Sequence, residues 1–291
     1  MVQVLLVLLA LFGVVFAVQF VRTLVTQGGY APRLEAIVLG AVTNFFDTLG
    51  IGSYAPTTAW LRLRKLTPDN RIPAMLTVGH CIPSLIQALI FIQIVKVDPI
   101  LLAGCIGSAV LGAFVGVRFV VRAPVRLVQT MVGIALTLAA VAFAMTNLKL
   151  MPGGGTALSL PMAELLPVFA AHFVMGALMT FGIGLYAPSL VLLSLLGLNP
   201  VAAFPIMMGS CAFLMPVAGV RFLKSQRIDL RVATGIALGG VPAVLVAAFL
   251  VKSLPLGTLR WGVVVVVLYA ATQLLWSAAR PAQPAAVPVA S

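Results

Sequence analysis

Asp47 stands in the stretch NFFDTLGIG, and His80 and Cys81 stand side by side in VGHCIP. Both stretches are otherwise apolar. An ionisable side chain inside an apolar segment is a functional candidate by default. Asp47 has three roles open to it: to relay a proton, to bind a coupling cation with Asn44, or to cap a helix. His80 and Cys81 also have several. A thiol beside an imidazole gains thiolate character toward a sulfur-bearing substrate. The imidazole titrates near neutral pH and can gate a pathway. A cysteine also packs as a small hydrophobe. Cys211 follows Ser210 in MGSCAF, as Cys81 follows His80. Two histidines and three cysteines are too scattered to show metal-ligand spacing, so neither a metal nor a cofactor is expected. No Walker A run and no GxSxG elbow occurs. The chain therefore reads as neither an ATP-driven pump nor another enzyme.

Two further stretches carry chemistry in their backbone. GIGSYAPTT begins at Gly50 and GIGLYAPSL at Gly182. Each sets a Gly-x-Gly break and a proline inside an apolar segment. Glycine permits a tight turn, and proline suits the first turn of a new helix. Backbone freed from helical pairing at membrane depth must be buried in protein or line a polar cavity. The free N–H groups and positive dipole end of a half-helix starting there suit an anion. The candidate binding residues at the first break are Thr48, Gly50, Gly52, Ser53, Tyr54 and Thr57. At the second they are Thr180, Gly182, Gly184, Tyr186 and Ser189, with His80, Cys81, Ser210 and Cys211 beside them. Asp47 and Asn44 are the candidate coupling residues. Each hydroxyl either faces the anion or bonds a carbonyl of its own helix. Each tyrosine either closes on the anion or packs with its OH on the backbone.

The elements that must hold these residues follow from composition. Of 291 residues, 62% are apolar and 8% charged, against about 45–50% and 25% in a soluble domain. Apolar stretches of about 20 residues recur along the chain, as membrane helices require. The chain reads as an all-α, polytopic integral membrane protein in the lipid bilayer. The expected segments are 1–26, 34–61, 72–95, 99–121, 124–148, 165–198, 203–223, 230–251 and 259–279. Segment 72–95 is expected to cross as one helix holding His80 and Cys81. The first stretch has no positive charge before it and Arg22 after it; that polarity predicts a retained helix rather than a cleaved signal. His172 and Glu164 are expected near the membrane interface.

The second set of segments echoes the first. TLGIGSYAPT matches TFGIGLYAPS, Pro68 and Pro73 match Pro200 and Pro205, and Lys96-Val97-Asp98 matches Arg227-Ile228-Asp229. Gly79-His80-Cys81 is echoed by Gly209-Ser210-Cys211, and Asp47 by Met179. A colinear series of this kind implies duplication, which transporter folds commonly show. The organisation expected is an N-terminal helix (1–28), a first repeat (29–150), a second (151–280) and a disordered tail (281–291).

Charge sets the expected topology. If segments 34–61 and 165–198 each enter and return on one side, Arg22, Arg33, Arg62, Arg64, Lys65 and Arg71 fall inside. Arg118, Arg122, Arg126, Arg221, Lys224, Arg227, Arg231 and Arg280 fall there too, with Lys252 and Arg260 as exceptions. That satisfies the positive-inside rule and makes the repeats inverted, each with one broken re-entrant helix and three crossings. The N-terminus lies outside and the C-terminus in the cytoplasm. The net charge of +12 then reflects topology rather than nucleic-acid binding.

The G-I-G-x-x-x-P break, the N-P or T-P turn, and the basic R-x-D turn, each used twice, resemble the TauE/SafE sulfite exporter family. The resemblance covers roughly residues 34–276 and is fuller in the second half. The chain departs from the pattern at Ser53, Tyr54 and Ala55 and at Leu185, Tyr186 and Ala187, where glycine runs are usual. It departs again where Gly-His-Cys and Gly-Ser-Cys replace G-T-S. The resemblance implies transport of small sulfur-bearing anions (sulfite, sulfonate, thiosulfate or sulfoacetate) across the cell (inner) membrane, with protons as one candidate coupling ion. An anion channel is a second reading. A membrane subunit or intramembrane enzyme using His80 and Cys81 is a third.

Overall fold

The computed structural model describes residues 2–27, 31–50, 52–67, 71–120, 155–224 and 228–251, with scattered positions in 126–150 and 261–279. The expected segments 124–148 and 259–279, most of the MPGGG loop and the tail 281–291 therefore lie largely outside the described residues. The helices are α1 (Val2–Gln27), α2 (Leu34–Thr48), α3 (Tyr54–Leu63), α4 (Ile72–Gly79), α5 (Cys81–Ile94) and α6 (Pro99–Val120). They continue with α7 (Met162–Met179), α8 (Tyr186–Leu195), α9 (Pro200–Lys224) and α10 (Leu230–Val251). Among the described residues, five helices are long and apolar enough to cross a membrane, or six if α4 and α5 form one span. This is a multi-pass, all-helical membrane architecture.

Segment 72–95 is not one straight crossing. It bends by 42° between α4 and α5, and His80 is the hinge residue, ending one helix and preceding the next. Pro83 supplies the cause. It has no N–H for the carbonyl of Gly79, and its ring crowds that carbonyl. The hydrogen-bond ladder therefore breaks where His80 sits. The corresponding α9 carries Pro205 and Pro216 but stays continuous.

The helices pack crosswise between the two halves of the sequence. α2, which opens the first set, lies along α10, which closes the second. α7, which opens the second set, lies along α6, which closes the first. Both contacts run backbone to backbone over glycine. A Cβ on Gly40 would stand 2.2 Å from the Ile236 carbonyl oxygen, and one on Gly239 would stand 1.9 Å from that of Ile37. On the other pair, a Cβ on Gly112 would stand 1.8 Å from the Phe173 oxygen and one on Gly176 2.0 Å from the Ala109 oxygen. Small residues bring membrane helices this close because dispersion contacts, not water expulsion, hold them together. α9 runs through the middle, with nearly every side chain from Pro200 to Gly219 buried. α1 covers α9 from outside, with Phe12 edge-on to Phe213 and Phe16 against Gly219.

Polar contacts tie the connections together in two groups. Glu35, at the head of α2, accepts from the Arg64 Nε at 2.7 Å and the Trp60 Nε1 at 3.0 Å. The start of α2 and the end of α3 therefore lie side by side. Arg33 pairs with Asp229 at 3.5 Å, and the Arg231 Nε donates to the Ala31 carbonyl at 2.9 Å. The second group gathers other loops. Asn199 N–H donates to the Ala157 carbonyl at 2.8 Å, and Asp98 N–H to that of Leu158 at 2.9 Å. The approach to α7 and the exit from α8 are thus also neighbours.

Candidate functional site

Each broken segment turns in the same way. The N–H of Gly50 donates to the Asp47 carbonyl at 2.9 Å, and that of Gly182 to the Met179 carbonyl at 3.0 Å. Both glycines have φ of +88°, a left-handed conformation that a side chain disfavours. The half-helices α3 and α8 follow, each starting at a tyrosine 132 residues from its counterpart. They also end alike. Leu66 N–H reaches the Leu61 carbonyl and Leu198 N–H the Leu193 carbonyl, both at 3.0 Å. Lys65 and Gly197 take the left-handed position between, with φ of 50° and 85°. This is the Schellman closure of a helix end.

The two turns meet. A Cβ on Gly52 would lie 3.7 Å from the Cβ of Tyr186, and one on Gly184 would lie 3.5 Å from the Cβ of Tyr54. Each turn also leans on the other half of the chain. Gly50 faces Phe204 of α9, and Gly182 faces Leu76 and Pro73 of α4. Between the turns is a buried cavity of about 10 Å³, the room of roughly one water molecule. On the first side it is lined by Asp47, Gly52, Ser53 and Tyr54, and by Ser84 of α5. Gly184, Leu185 and Tyr186 line it from the second side, with Met179, Cys211 and Met215.

The lining differs between the two turns. Asp47 is 2% exposed and lies where the second half has Met179. Its Oδ1 accepts the Ser53 backbone N–H in a short hydrogen bond, and its Oδ2 accepts from the Gln87 Nε2 at 3.0 Å. The same Nε2 lies 2.9 Å from the Thr48 Oγ1, and the Gln87 Oε1 accepts from the Tyr186 hydroxyl at 2.8 Å. A carboxylate accepts only, so it fixes the Gln87 amide with NH₂ toward Asp47, and Tyr186 must donate. At the matching place Met179 Sδ lies 3.5 Å from Cys211 Sγ, a soft, apolar pairing. The second glycines differ in step: Gly52 has φ of +85°, whereas Gly184 is not left-handed.

No family model, curated protein or solved structure matches this chain.

The hydroxyls expected at the site divide between it and its supports. Thr57 and Ser189 hold equivalent places on α3 and α8 and do not line the cavity. Thr57 Oγ1 lies 3.0 Å from His80 Nε2, and Ser189 Oγ 3.0 Å from His172 Nε2. The opposite ring nitrogens reach the Asn44 Oδ1 at 3.0 Å and the Val168 carbonyl at 2.9 Å. Asn44 in turn donates its Nδ2 to the Gly40 carbonyl at 2.7 Å, so its Oδ1 is an acceptor. Each imidazole therefore carries a proton on Nδ1, and in the neutral ring Nε2 accepts from the hydroxyl. Asn44 thus orients His80, and its side-chain hydrogen bonds go to His80 and Gly40 rather than to Asp47. With both nitrogens engaged, His80 has none for the Cys81 thiol. Cys81 is fully buried but does not line the cavity, whereas Cys211 does.

The remaining expected residues are supports. Thr48 donates to the Asn44 carbonyl at 2.8 Å, and Thr180 to that of Ala177 at 2.7 Å. Gly50 and Gly182 form the turns behind the cavity rather than its wall. Ser210 is fully buried with an unpartnered Oγ and does not line the cavity. His172, expected near the interface, is fully buried. Gln87 and Ser84 on α5 were not singled out from sequence. A polar pair among apolar residues at 84 and 87 is the signal that marks them, since three residues span one helical turn.

Proposed function

We propose that this chain is a secondary transporter of small sulfur-bearing anions, built as two inverted repeats in the cell membrane. The anion site lies between the two Gly-x-Gly turns. The observation that carries this reading is the head-on meeting of α3 and α8 around one buried cavity. The starts of both half-helices line that space, and a helix start offers backbone N–H groups, the donors an oxyanion needs. The paired loops fit the inversion. The Glu35–Arg64 group brings the first broken segment back to where it began, and the Ala157–Asn199 contact does so for the second. The basic Arg33–Arg64 group faces the cytoplasm under the positive-inside rule.

The cavity has room for one water and no more, so an oxyanion enters only when the turns part. This favours alternating access over an open pore. The swapped helix pairs, α2 with α10 and α6 with α7, are the bodies whose rocking would part them. An anion channel remains the second reading, and ion currents in a planar bilayer separate the two. Uptake of labelled sulfite or methanesulfonate into proteoliposomes is the direct test. Saturable uptake lost on substituting Gly184 with valine is the expected result. A reconstituted protein that moves neither anion, with or without a pH gradient, overturns the proposal.

A further inference from the structure

One of the two half-helix starts already holds an anion, the Asp47 carboxylate. It lies on the Ser53 N–H that opens α3, where a bound oxyanion would take its bond. The α8 start has Met179 in the equivalent place and no such occupant. We propose that Asp47 is a built-in competitor of the transported anion, displaced by protonation, so that one proton is taken up with each anion bound. This inference rests on the anion-transport reading above.

The hydrogen-bond chain shows how protonation changes the cavity. With Asp47 ionised, Gln87 points its NH₂ at the carboxylate and its oxygen at Tyr186, whose O–H is thereby consumed. A proton on Asp47 turns an acceptor into a donor. The carboxylic O–H then donates to the Gln87 Oε1 after the amide rotates. The Gln87 NH₂ now faces the tyrosine oxygen, and the Tyr186 O–H is free to donate into the cavity. The neutral carboxyl keeps only its carbonyl oxygen on the Ser53 N–H, a weaker bond than the charged one, and a bound oxyanion outcompetes it there. One donor at each turn is then open to the anion, and the negative charge that Asp47 brings to the cavity wall disappears. The proton comes from the solution that delivers the anion and leaves with it.

Few other groups could carry this proton. Around the carboxyl, α3 presents Tyr54, the start of α8 presents Tyr186 and α9 presents Cys211. α5 presents the neutral Ser84 and Gln87, and α7 presents Met179. Among the described residues, no Lys, Arg or His lines the cavity.

The test uses the full chain in lipid nanodiscs and methanesulfonate, which keeps a single charge between about pH 5 and 8. Calorimetric titrations in two buffers of different ionisation enthalpy count the protons taken up. Wild-type affinity is expected to fall about tenfold per pH unit above the carboxyl's titration, with one proton bound per anion. Asp47→Asn is expected to show no proton uptake and to bind at least tenfold more tightly than wild type at pH 8. Met179→Asp gives an independent arm, because the smaller side chain fits and places a carboxylate at the second turn. It is expected to weaken binding at pH 8 by at least tenfold and to raise proton uptake toward two. Binding without proton uptake by wild type, or undiminished uptake in Asp47→Asn, overturns the inference and leaves the anion site standing. No binding by wild type or either variant at any pH overturns the anion reading, and the inference falls with it.

Discussion

At the scale of single residues, the two histidines have the same task from unrelated positions. His80 comes from the α4–α5 hinge and His172 from within α7, yet each is hydrogen-bonded through Nε2 to the matching hydroxyl of a half-helix. Thr57→Val and Ser189→Ala each strand a buried ring nitrogen. Each is expected to lower unfolding stability in detergent by about 1–3 kcal/mol. The double variant should add the two losses, because the pairs share no partner. Unchanged stability with weakened anion binding would instead make these hydroxyls substrate ligands. The residue types at the turns were legible in sequence, as was Asp47. The histidines' partners were not. Both bonds span different helices, and a single sequence does not tell which neighbour a buried imidazole meets.

At the scale of elements, the half-helices end on a shared closure whose quality differs. Lys65 adopts a left-handed conformation that Gly197 adopts more easily. Lys65→Gly is expected to raise stability by about 0.5–1 kcal/mol, and Gly197→Ala to lower it by about 1 kcal/mol. Thermal unfolding of each purified variant reads both changes. Glycine at the helix crossings is less forgiving. Gly40→Ala drives a Cβ into the Ile236 carbonyl, so α2 and α10 must separate, and a loss of about 1–3 kcal/mol or more follows. The apolar segments were readable from hydropathy because each is long and uninterrupted. The hinge at His80 was less so. Pro83 announces a disturbed ladder, but Pro205 and Pro216 sit in an unbroken helix, so proline alone does not say where a helix yields.

At the scale of the whole molecule, the paired loops set up a topological test. Cysteines replacing Glu35 and Arg64 should cross-link to each other and react with an impermeant maleimide from one face only. Cysteines replacing Asp98 and Asn199 should react from the opposite face. Reaction of the 35 and 64 positions from different faces would make the first broken segment an ordinary span. The matching series of motifs was plain in the sequence, and charge suggested opposite orientations for the two halves. The swapped pairing of α2 with α10 and α6 with α7 was not legible, because repeat matching says which parts correspond and not which parts touch. His172 shows where the two halves differ. Its counterpart is Gly40, whose backbone is pressed against Ile236 and leaves no space for an imidazole. A homodimer of either half would therefore carry two rings with no berth or two glycines with no ring.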